Sequence, residues 1–164
     1  MWSTSGVFLS ADEAKRDTLA VAASNWHALA TFAGKFVVPN TTAIVLDVGT
    51  TTTDIIPLLN GIPISRGRTD PERLRSKELV YTGVKRTPVC ALLQEGITAE
   101  LFATSYDAYL RLGLIAEDPT DIHTADGRPA TALHAHSRLA RMLGGDSESI
   151  GTEVPDRLAS AIYA

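Results

Sequence analysis

Cysteine is almost absent from this sequence: Cys90 is the only one among 164 residues. One thiol cannot form a disulfide within the chain, and cysteine-based zinc sites need several ligands, so both kinds of cross-link are excluded. We expect a reducing, cytoplasmic setting for such a chain. Cys90 itself lies in an apolar stretch, which is typical of a small core residue.

The sequence also lacks a basic excess and a long apolar run. Its 15 lysines and arginines face 19 aspartates and glutamates, for a formal net charge of −4, whereas nucleic-acid-binding domains usually carry a strong positive balance. No apolar run approaches the roughly 18 residues of a membrane span. No basic region precedes an apolar stretch at the N-terminus, as it would in a secretory signal. We therefore expect neither nucleic acid nor a membrane as a partner.

Aromatic residues make up only 6% of the chain, but hydrophobic residues as a whole reach 45% and charged residues 21%. These shares are near the averages of globular proteins and exclude a charge-rich disordered chain. A chain of this length is long enough to bury one sizeable core.

A long helix is predicted over residues 11–33. Ser10 is a good N-cap and Glu13 stands three residues on, which completes a capping box. Small and apolar residues are dense on more than one face, so we expect the helix to pack against several neighbours, with Trp26 in the core. Gly34 is a plausible C-cap.

A β region follows the helix. The run AIVLDV at residues 43–48 predicts a strand buried on both faces. Asn60 and Gly61 separate two further apolar runs, and this pair favours a tight hairpin because both residues tolerate positive φ. Together these signals predict a three-stranded antiparallel meander over residues 43–68.

The remaining elements are shorter. They are a helical turn at residues 71–75, a strand at 79–82, helices at 101–115 and 128–143, and a helix that begins near Pro155, a residue type favoured in a first helical turn.

The sharpest functional signal is the segment DVGTTTTD, residues 47–54. Asp47 ends a strand and Asp54 opens the next, and carboxylates so placed suit Mg²⁺. Glycine and threonine between them offer backbone amides and hydroxyls to a phosphate. The residues expected to cradle the phosphate are Gly49, Thr50, Thr51, Thr52 and Thr53. A threonine-rich hairpin without a ligand is the alternative.

A local basic segment follows. Residues 66–86 contain seven basic and three acidic residues, a balance of +4. The basic ones are Arg66, Arg68, Arg73, Arg75, Lys77, Lys85 and Arg86. Arginine binds phosphate oxygens in bidentate fashion, so the segment suits an anion such as diphosphate; a solvated loop with ordinary surface charges is the alternative.

Two further residue sets carry weaker signals. Asn25 is a candidate polar contact to the threonine loop. His134 and His136 stand two residues apart on a predicted helix and do not share a face, so we interpret them, with His123, as ordinary surface histidines rather than metal ligands.

The segment LDVGTTTTDIIPLLNG resembles the second phosphate loop of the actin, Hsp70 and sugar-kinase superfamily, and AVAASNWHALA resembles the helix that connects the two lobes there. Within that superfamily, five blocks resemble the hydantoinase A/oxoprolinase-like family, in the branch linked to tetrahydromethanopterin-dependent C1 metabolism. They are ASNWHALA, DVGTTTTDIIP, ELVYTGVKRTPVCAL, FATSYDAY and TADGRPAT. The blocks span about residues 20–142.

The resemblance implies an α/β fold: a ribonuclease H-like lobe of the actin-like ATPase type, with a mixed sheet that includes the antiparallel meander and is flanked by helices. Residues 1–40 would form the lobe-connecting helix region and residues 41–164 the second lobe. The first lobe's own phosphate loop and the glycine-rich adenosine segment are not recognisable in the sequence. We therefore expect a part of a two-lobed enzyme, inactive alone and truncated at its C-terminus.

The resemblance also implies a function, that of a transferase in methanofuran-type cofactor biosynthesis, as in an archaeal (aminomethylphenoxymethyl)furan synthase. There the phenol of γ-glutamyltyramine displaces diphosphate from a furanmethyl diphosphate. Asp47 and Asp54 would hold Mg²⁺, the residues from Gly49 to Thr53 would bind phosphate, and Arg86 would neutralise charge, so that Asp47, Asp54 and Arg86 are the candidate catalytic residues.

Two alternatives stay open at the level of sequence. The phosphate loop is shared across the superfamily, so an ATP-dependent kinase or a hydantoinase/oxoprolinase-like enzyme fits it as well. A non-catalytic lobe that binds nucleotide or a partner is the third interpretation. A lobe face left exposed would also favour homo-oligomers.

Overall fold

The computed structural model describes residues 1–164, which form two compact units, Met1–Tyr81 and Thr82–Ala164. The predicted boundary after residue 40 falls inside the first unit. The assignment of the two predicted segments to a connecting helix and a second lobe stays a prediction.

The first unit is built on a four-stranded sheet. Its strands are β1 (Thr42–Val48), β2 (Thr53–Leu59), β3 (Ile62–Pro63) and β4 (Leu79–Val80). Strand β2 pairs with all three others, and every pair is antiparallel. The predicted meander is confirmed, and the expected mixed sheet is wrong. Tight turns reverse the chain between β1, β2 and β3, whereas a parallel pair needs a longer crossover.

The turn between β2 and β3 has the predicted conformation. Asn60 has φ 51° and Gly61 has φ 76°. A two-residue hairpin turn of type I′ requires positive φ at both of these positions. The hairpin is therefore determined by a local signal.

Strand β1 differs from its prediction. Its residues alternate between half-buried and exposed positions, and the exposed hydrophobic side chains are Ile44, Leu46 and Val48, at 65%, 64% and 57%. The expected burial on both faces is wrong, because helices of the first unit cover only one face of the sheet.

Three short helices replace the single helix predicted over residues 11–33. They are α1 (Ala11–Arg16), α2 (Thr18–Val21) and α3 (Asn25–Ala33), and a 3₁₀ turn (Gly34–Phe36) follows. The capping box of Ser10 and Glu13 is confirmed. Asp17 interrupts the helix because its carboxylate accepts a hydrogen bond from the Ala20 amide and starts α2. Ala23 then takes φ 52°, which no α-helix allows.

Helix α3 packs on the covered face of the sheet. Trp26 and Ala30 join Ile56 and Leu58 in a core cluster, and Trp26 is only 3% exposed, which confirms its predicted place. The predicted helical turn at residues 71–75 is helix α4 (Asp70–Ser76), and β4 confirms the strand predicted beside it.

The second unit is helical. Its helices are α5 (Val89–Leu92), α6 (Ser105–Arg111), α7 (Ala132–Met142) and α8 (Glu153–Tyr163). The last three confirm the predicted helices at 101–115, at 128–143 and near Pro155, with shorter bounds for the first two. Each is shortened at its start by a threonine cap, Thr104 for α6 and Thr131 for α7.

The core of the second unit forms where these helices meet. Its buried members are Val89, Ala103, Ala108, Leu139, Met142, Leu158 and Ala159. Cys90 is partly buried against this cluster, so it is a core-side residue as predicted. None of the helices is both long and apolar enough to cross a membrane.

A buried ion-pair network joins α6 to α7. Arg138 is fully buried, and its Nε lies 2.7 Å from Oδ1 of Asp107 while its Nη1 lies 3.0 Å from Oδ1 of Asp126. Asp126 also pairs with Arg128 at 2.6 Å and, at the rim, with Arg141 at 3.4 Å. Burial alone would raise the pKa of Asp126, but hydrogen bonds from Arg128 and Arg138 outweigh it and lower this pKa to about 2.

Candidate functional site

The two predicted metal ligands face each other. Asp47 on β1 and Asp54 on β2 are direct partners in the antiparallel ladder. Residues opposed in this way have their Cβ atoms about 4.5–5.5 Å apart and share one face of the sheet. That face is the one that carries Ile56, on which α3 packs. The hairpin therefore places both carboxylates at one end of the covered face.

The threonine loop closes the hairpin between the two aspartates. The Gly49 amide donates a hydrogen bond of 2.8 Å to the Thr52 carbonyl, and a Cβ at Gly49 would lie 3.2 Å from that oxygen. Gly49 thus serves the turn itself. Thr50 is exposed, and Thr51, Thr52 and Thr53 are half-buried. The phosphate-binding role of these five residues stays a prediction.

Arg73 is the residue of this region that sequence reasoning did not assign. Its Nη1 lies 2.6 Å from Oδ1 of Asp54, and its Nη2 donates a hydrogen bond of 3.0 Å to the Glu78 carbonyl. The guanidinium carbon lies 4.0 Å from the centre of the Trp26 ring, an arrangement that stabilises a cation. The side chain is 1% exposed. Nothing in the sequence pattern separates Arg73 from its basic neighbours, because its role depends on α4 folding back onto β2.

A cavity of about 200 Å³ opens beside this ion pair. Its polar lining residues include Asn25, Thr52, Asp54, Asp70 and Arg73. Asn25 and Thr52 both line this cavity, and Asn25 is exposed. A polar contact from Asn25 to the threonine loop stays a prediction. The cavity joins side chains from α3, the loop, β2 and α4.

The other members of the basic segment have different surroundings. Lys85 is paired with Asp121 at 2.9 Å and lies over the Tyr106 ring, and the hydrogen bond to Asp121 raises the pKa of Lys85. Arg86 is exposed and belongs to the second unit. Arg86 and the two aspartates therefore belong to different units, and the catalytic role of Arg86 stays a prediction.

The donor set at the hairpin suits a hard cation with few protein ligands. No group of three or more His, Cys, Asp and Glu side chains converges anywhere in the chain. The oxygens of Asp47 and Asp54 and the threonine hydroxyls are the candidate donors. Mg²⁺ usually keeps several waters and takes one or two carboxylates besides substrate phosphates, so the residues present fit Mg²⁺. Asp54 already has one oxygen engaged by Arg73, which makes Asp47 the carboxylate outside any ion pair.

Comparison with known proteins identifies the relatives of this chain. A curated protein of Methanocaldococcus jannaschii is 34% identical over 171 residues, which cover 99% of this chain and 51% of the relative. One of Methanococcus vannielii is 34% identical over 128 residues, which cover 73% of this chain and 57% of the relative. Both are named (4-{4-[2-(gamma-L-glutamylamino)ethyl]phenoxymethyl}furan-2-yl)methanamine synthase.

The chain spans about half the length of the curated relatives that it matches. The model of the hydantoinase/oxoprolinase family matches residues 1–163, nearly the whole sequence. The hairpin with its opposed aspartates lies inside that match. This chain therefore belongs to the hydantoinase/oxoprolinase family.

Proposed function

We propose that this chain supplies the metal- and phosphate-binding part of an enzyme in methanofuran-type cofactor biosynthesis. The enzyme would join a phenol to a furanylmethyl group and release diphosphate. The observation that carries the proposal is the opposition of Asp47 and Asp54 across the β1–β2 hairpin, with the threonine loop between them. The name of the relatives describes a product in which a phenoxymethyl ether links the two rings, and such an ether is what this reaction forms.

The reaction balances without an oxidant or reductant. The phenol oxygen forms a bond to the CH₂ of the furanylmethyl group, and the bond from that carbon to the diphosphate oxygen breaks. The phenol gives its proton to solvent, and diphosphate leaves with the electron pair. Negative charge therefore grows on the leaving group in the transition state, and stabilising it is the main task of the site.

Each residue of the site has a proposed part in that task. Asp47, with the second oxygen of Asp54, would hold Mg²⁺, and a bound Mg²⁺ would supply positive charge to the leaving diphosphate. Hydroxyls of the threonine loop would donate hydrogen bonds to phosphate oxygens. Arg73 keeps the Asp54 carboxylate in place, so it is a positioning residue. Arg86 would neutralise charge, as the sequence predicts.

Ligand binding tests the proposal on the chain as it exists. A ligand that binds the native state raises the melting temperature, so Mg²⁺ and diphosphate together should raise it, and chelation of Mg²⁺ should remove the effect. Asp47→Ala should abolish this stabilisation and leave the fold intact. Asp12→Ala removes an exposed carboxylate on α1 and serves as the matched control. Equal stabilisation of Asp47→Ala and the unmodified chain would refute the site.

The choice of ligand, ATP or diphosphate, separates this function from the kinase alternative. If Mg-ATP protects the chain and Mg-diphosphate does not, the transferase proposal is wrong and an ATP-dependent activity takes its place. If Mg-diphosphate protects, the protein purified from its source cells should form the aryl ether from γ-glutamyltyramine and the furanmethyl diphosphate, as mass spectrometry would detect.

A further inference from the structure

The first unit contains a second cavity that the proposed function does not use. It has a volume of about 380 Å³, within the usual range for small-molecule sites. Its walls come from the loop around Gly6, from α3, from the β2–β3 turn and from the segment around Arg68. We call it the His27 cavity, after the α3 residue in its wall. Trp26 lines both this cavity and the one beside Asp54.

The charged lining of the His27 cavity is of one sign, positive. No aspartate or glutamate lines it. Arg68 does line it, and the Arg68 guanidinium takes part in none of the ion pairs of the chain. The exposed Arg68 side chain is therefore the one cation at the wall of the cavity, and no carboxylate forms an ion pair with it.

Two lining residues contain buried polar atoms without a partner. They are Nε1 of Trp26 and Oγ of Ser65. The Trp26 side chain is almost fully buried, and an indole N–H can only donate a hydrogen bond. A buried donor without an acceptor destabilises the folded state, because it has lost its hydrogen bonds to water and gained none in return. Both atoms are closed off from solvent, so the donors that a ligand in the cavity can reach belong to other lining residues.

His27 adds a ring N–H to the Arg68 guanidinium, and its tautomer follows from the geometry. The Trp2 indole donates a hydrogen bond of 3.2 Å to Nδ1 of His27. Because an indole cannot accept, Nδ1 must be the acceptor, and the neutral ring then has its hydrogen on Nε2. That atom lies on the side of Gly6, another lining residue. Burial, followed by the Arg68 charge, lowers the pKa of His27, which favours the neutral ring.

The segment that carries Ser65 and Arg68 is held in place by Glu78. The Glu78 carboxylate accepts hydrogen bonds from the amides of Arg66, at 2.7 Å, and Gly67, at 3.0 Å. These charge-assisted bonds fix the backbone between the two lining residues. The backbone of this part of the cavity wall is therefore preorganised.

We propose that the His27 cavity binds the carboxylate group of a small organic acid, with Arg68 and His27 as its donors. A carboxylate has one negative charge and matches the one cation of the wall, whereas a phosphate dianion would leave charge unbalanced. The apolar side chains of the cavity, among them Ile62, would contact the rest of the ligand. The proposal does not depend on the Asp47 site, because it would hold if the threonine loop bound no phosphate.

Nuclear magnetic resonance tests the proposal with benzoate as the probe. The chain has two tryptophans, so its spectrum contains two indole N–H signals, and Trp2→Phe assigns them. Benzoate should shift the Trp26 signal in a saturable way. Benzamide, which has the same shape without the charge, should shift it far less. Inorganic phosphate at the same concentration should bind more weakly than benzoate.

A matched pair of variants locates the binding. Arg68→Gln should weaken benzoate about tenfold, the loss expected for one charge-assisted hydrogen bond. Arg66→Gln makes the same change of charge in the same segment at a residue that does not line the cavity, and it should leave the affinity unchanged. Far-ultraviolet circular dichroism checks that both variants fold. Equal effects of the two variants, tighter binding of phosphate, equal binding of benzamide, or no shift of the Trp26 signal would each overturn the proposal.

Discussion

Nη1 of Arg73 lies 2.6 Å from Oδ1 of Asp54, and this ion pair is what distinguishes the two aspartates of the hairpin. Asp54 is tied to α4 through it, while Asp47, its partner across the ladder, is in no ion pair. The guanidinium also stacks on Trp26, so the pair links the candidate site to the core beneath α3. The predicted metal ligand Asp54 therefore has a structural role of its own.

Removal of Arg73 should destabilise the first unit strongly. Arg73→Met leaves the Asp54 carboxylate without its counterion in a site that is 13% exposed, and breaking a buried pair in this way lowers the free energy of unfolding by about 3–5 kcal/mol. Both tryptophans lie in the first unit, so tryptophan fluorescence in urea follows this unit selectively. Arg75→Met removes an exposed charge from the same helix and should change stability little. A similar loss in both variants would contradict a specific role for the ion pair.

Gly34 should not tolerate a methyl group. A Cβ there would lie 1.8 Å from the Gly61 carbonyl oxygen, so the 3₁₀ turn and the β2–β3 hairpin would have to separate. We expect Gly34→Ala to lower the free energy of unfolding of the first unit by about 3 kcal/mol, the upper range for overpacking. Gly151→Ala introduces the same group where no atom lies within 4 Å and should be neutral. The prediction fails if the two variants unfold at the same urea concentration.

Asp126 should make the second unit sensitive to strong acid. Its folded pKa is about 2, against an ordinary value of 3.8. A carboxylate whose pKa is lower in the folded state adds stability at pH values above its unfolded-state pKa. That stability is lost as the pH falls toward the folded-state pKa. We expect a loss of about 2 kcal/mol between pH 3.8 and pH 2. Carbon-detected titration of the Asp126 carboxyl measures the pKa directly, and a midpoint near 3.8 would refute the prediction.

Arg138 should matter far more than Arg141, although both are on α7 and both contact Asp126. Arg138 is fully buried between Asp107 and Asp126, so Arg138→Met should lower the free energy of unfolding by about 3–5 kcal/mol. The Arg141 side chain is 44% exposed at 3.4 Å from Asp126, and Arg141→Met should change it by less than about 1 kcal/mol. Circular dichroism in urea measures both. Comparable losses would mean that Arg138 serves the fold no more than a rim charge.

The elements that sequence analysis predicted correctly depend on neighbours along the chain. The capping box at Ser10, the Asn60–Gly61 hairpin and the helix that begins near Pro155 are all determined by residues within a few positions. The prediction of one long first helix was wrong because local signals also decide where a helix ends. The local cap at Asp17 and the positive φ of Ala23 outweighed a continuous apolar pattern.

The candidate site was predictable only in part. The motif from Asp47 to Asp54 indicated that two carboxylates flank a threonine turn, and the ladder register places them opposite each other. The sequence contained no signal for Arg73 as the partner of Asp54, or for the His27 cavity, whose walls come from four separate segments. The exposed face of β1 was also missed, since an apolar run does not reveal whether a second layer covers it.

The sequence by itself determined the turns, the caps, the antiparallel hairpin and the family to which the chain belongs. Only the tertiary structure decided which of seven neighbouring basic residues is buried against Asp54, which donors line the His27 cavity and which face of β1 is exposed. The physical reason is the separation along the chain of the residues that interact. A turn or a cap is stabilised by atoms a few residues apart, whereas the burial and charge environment of a side chain depend on elements that meet only when the whole unit has folded.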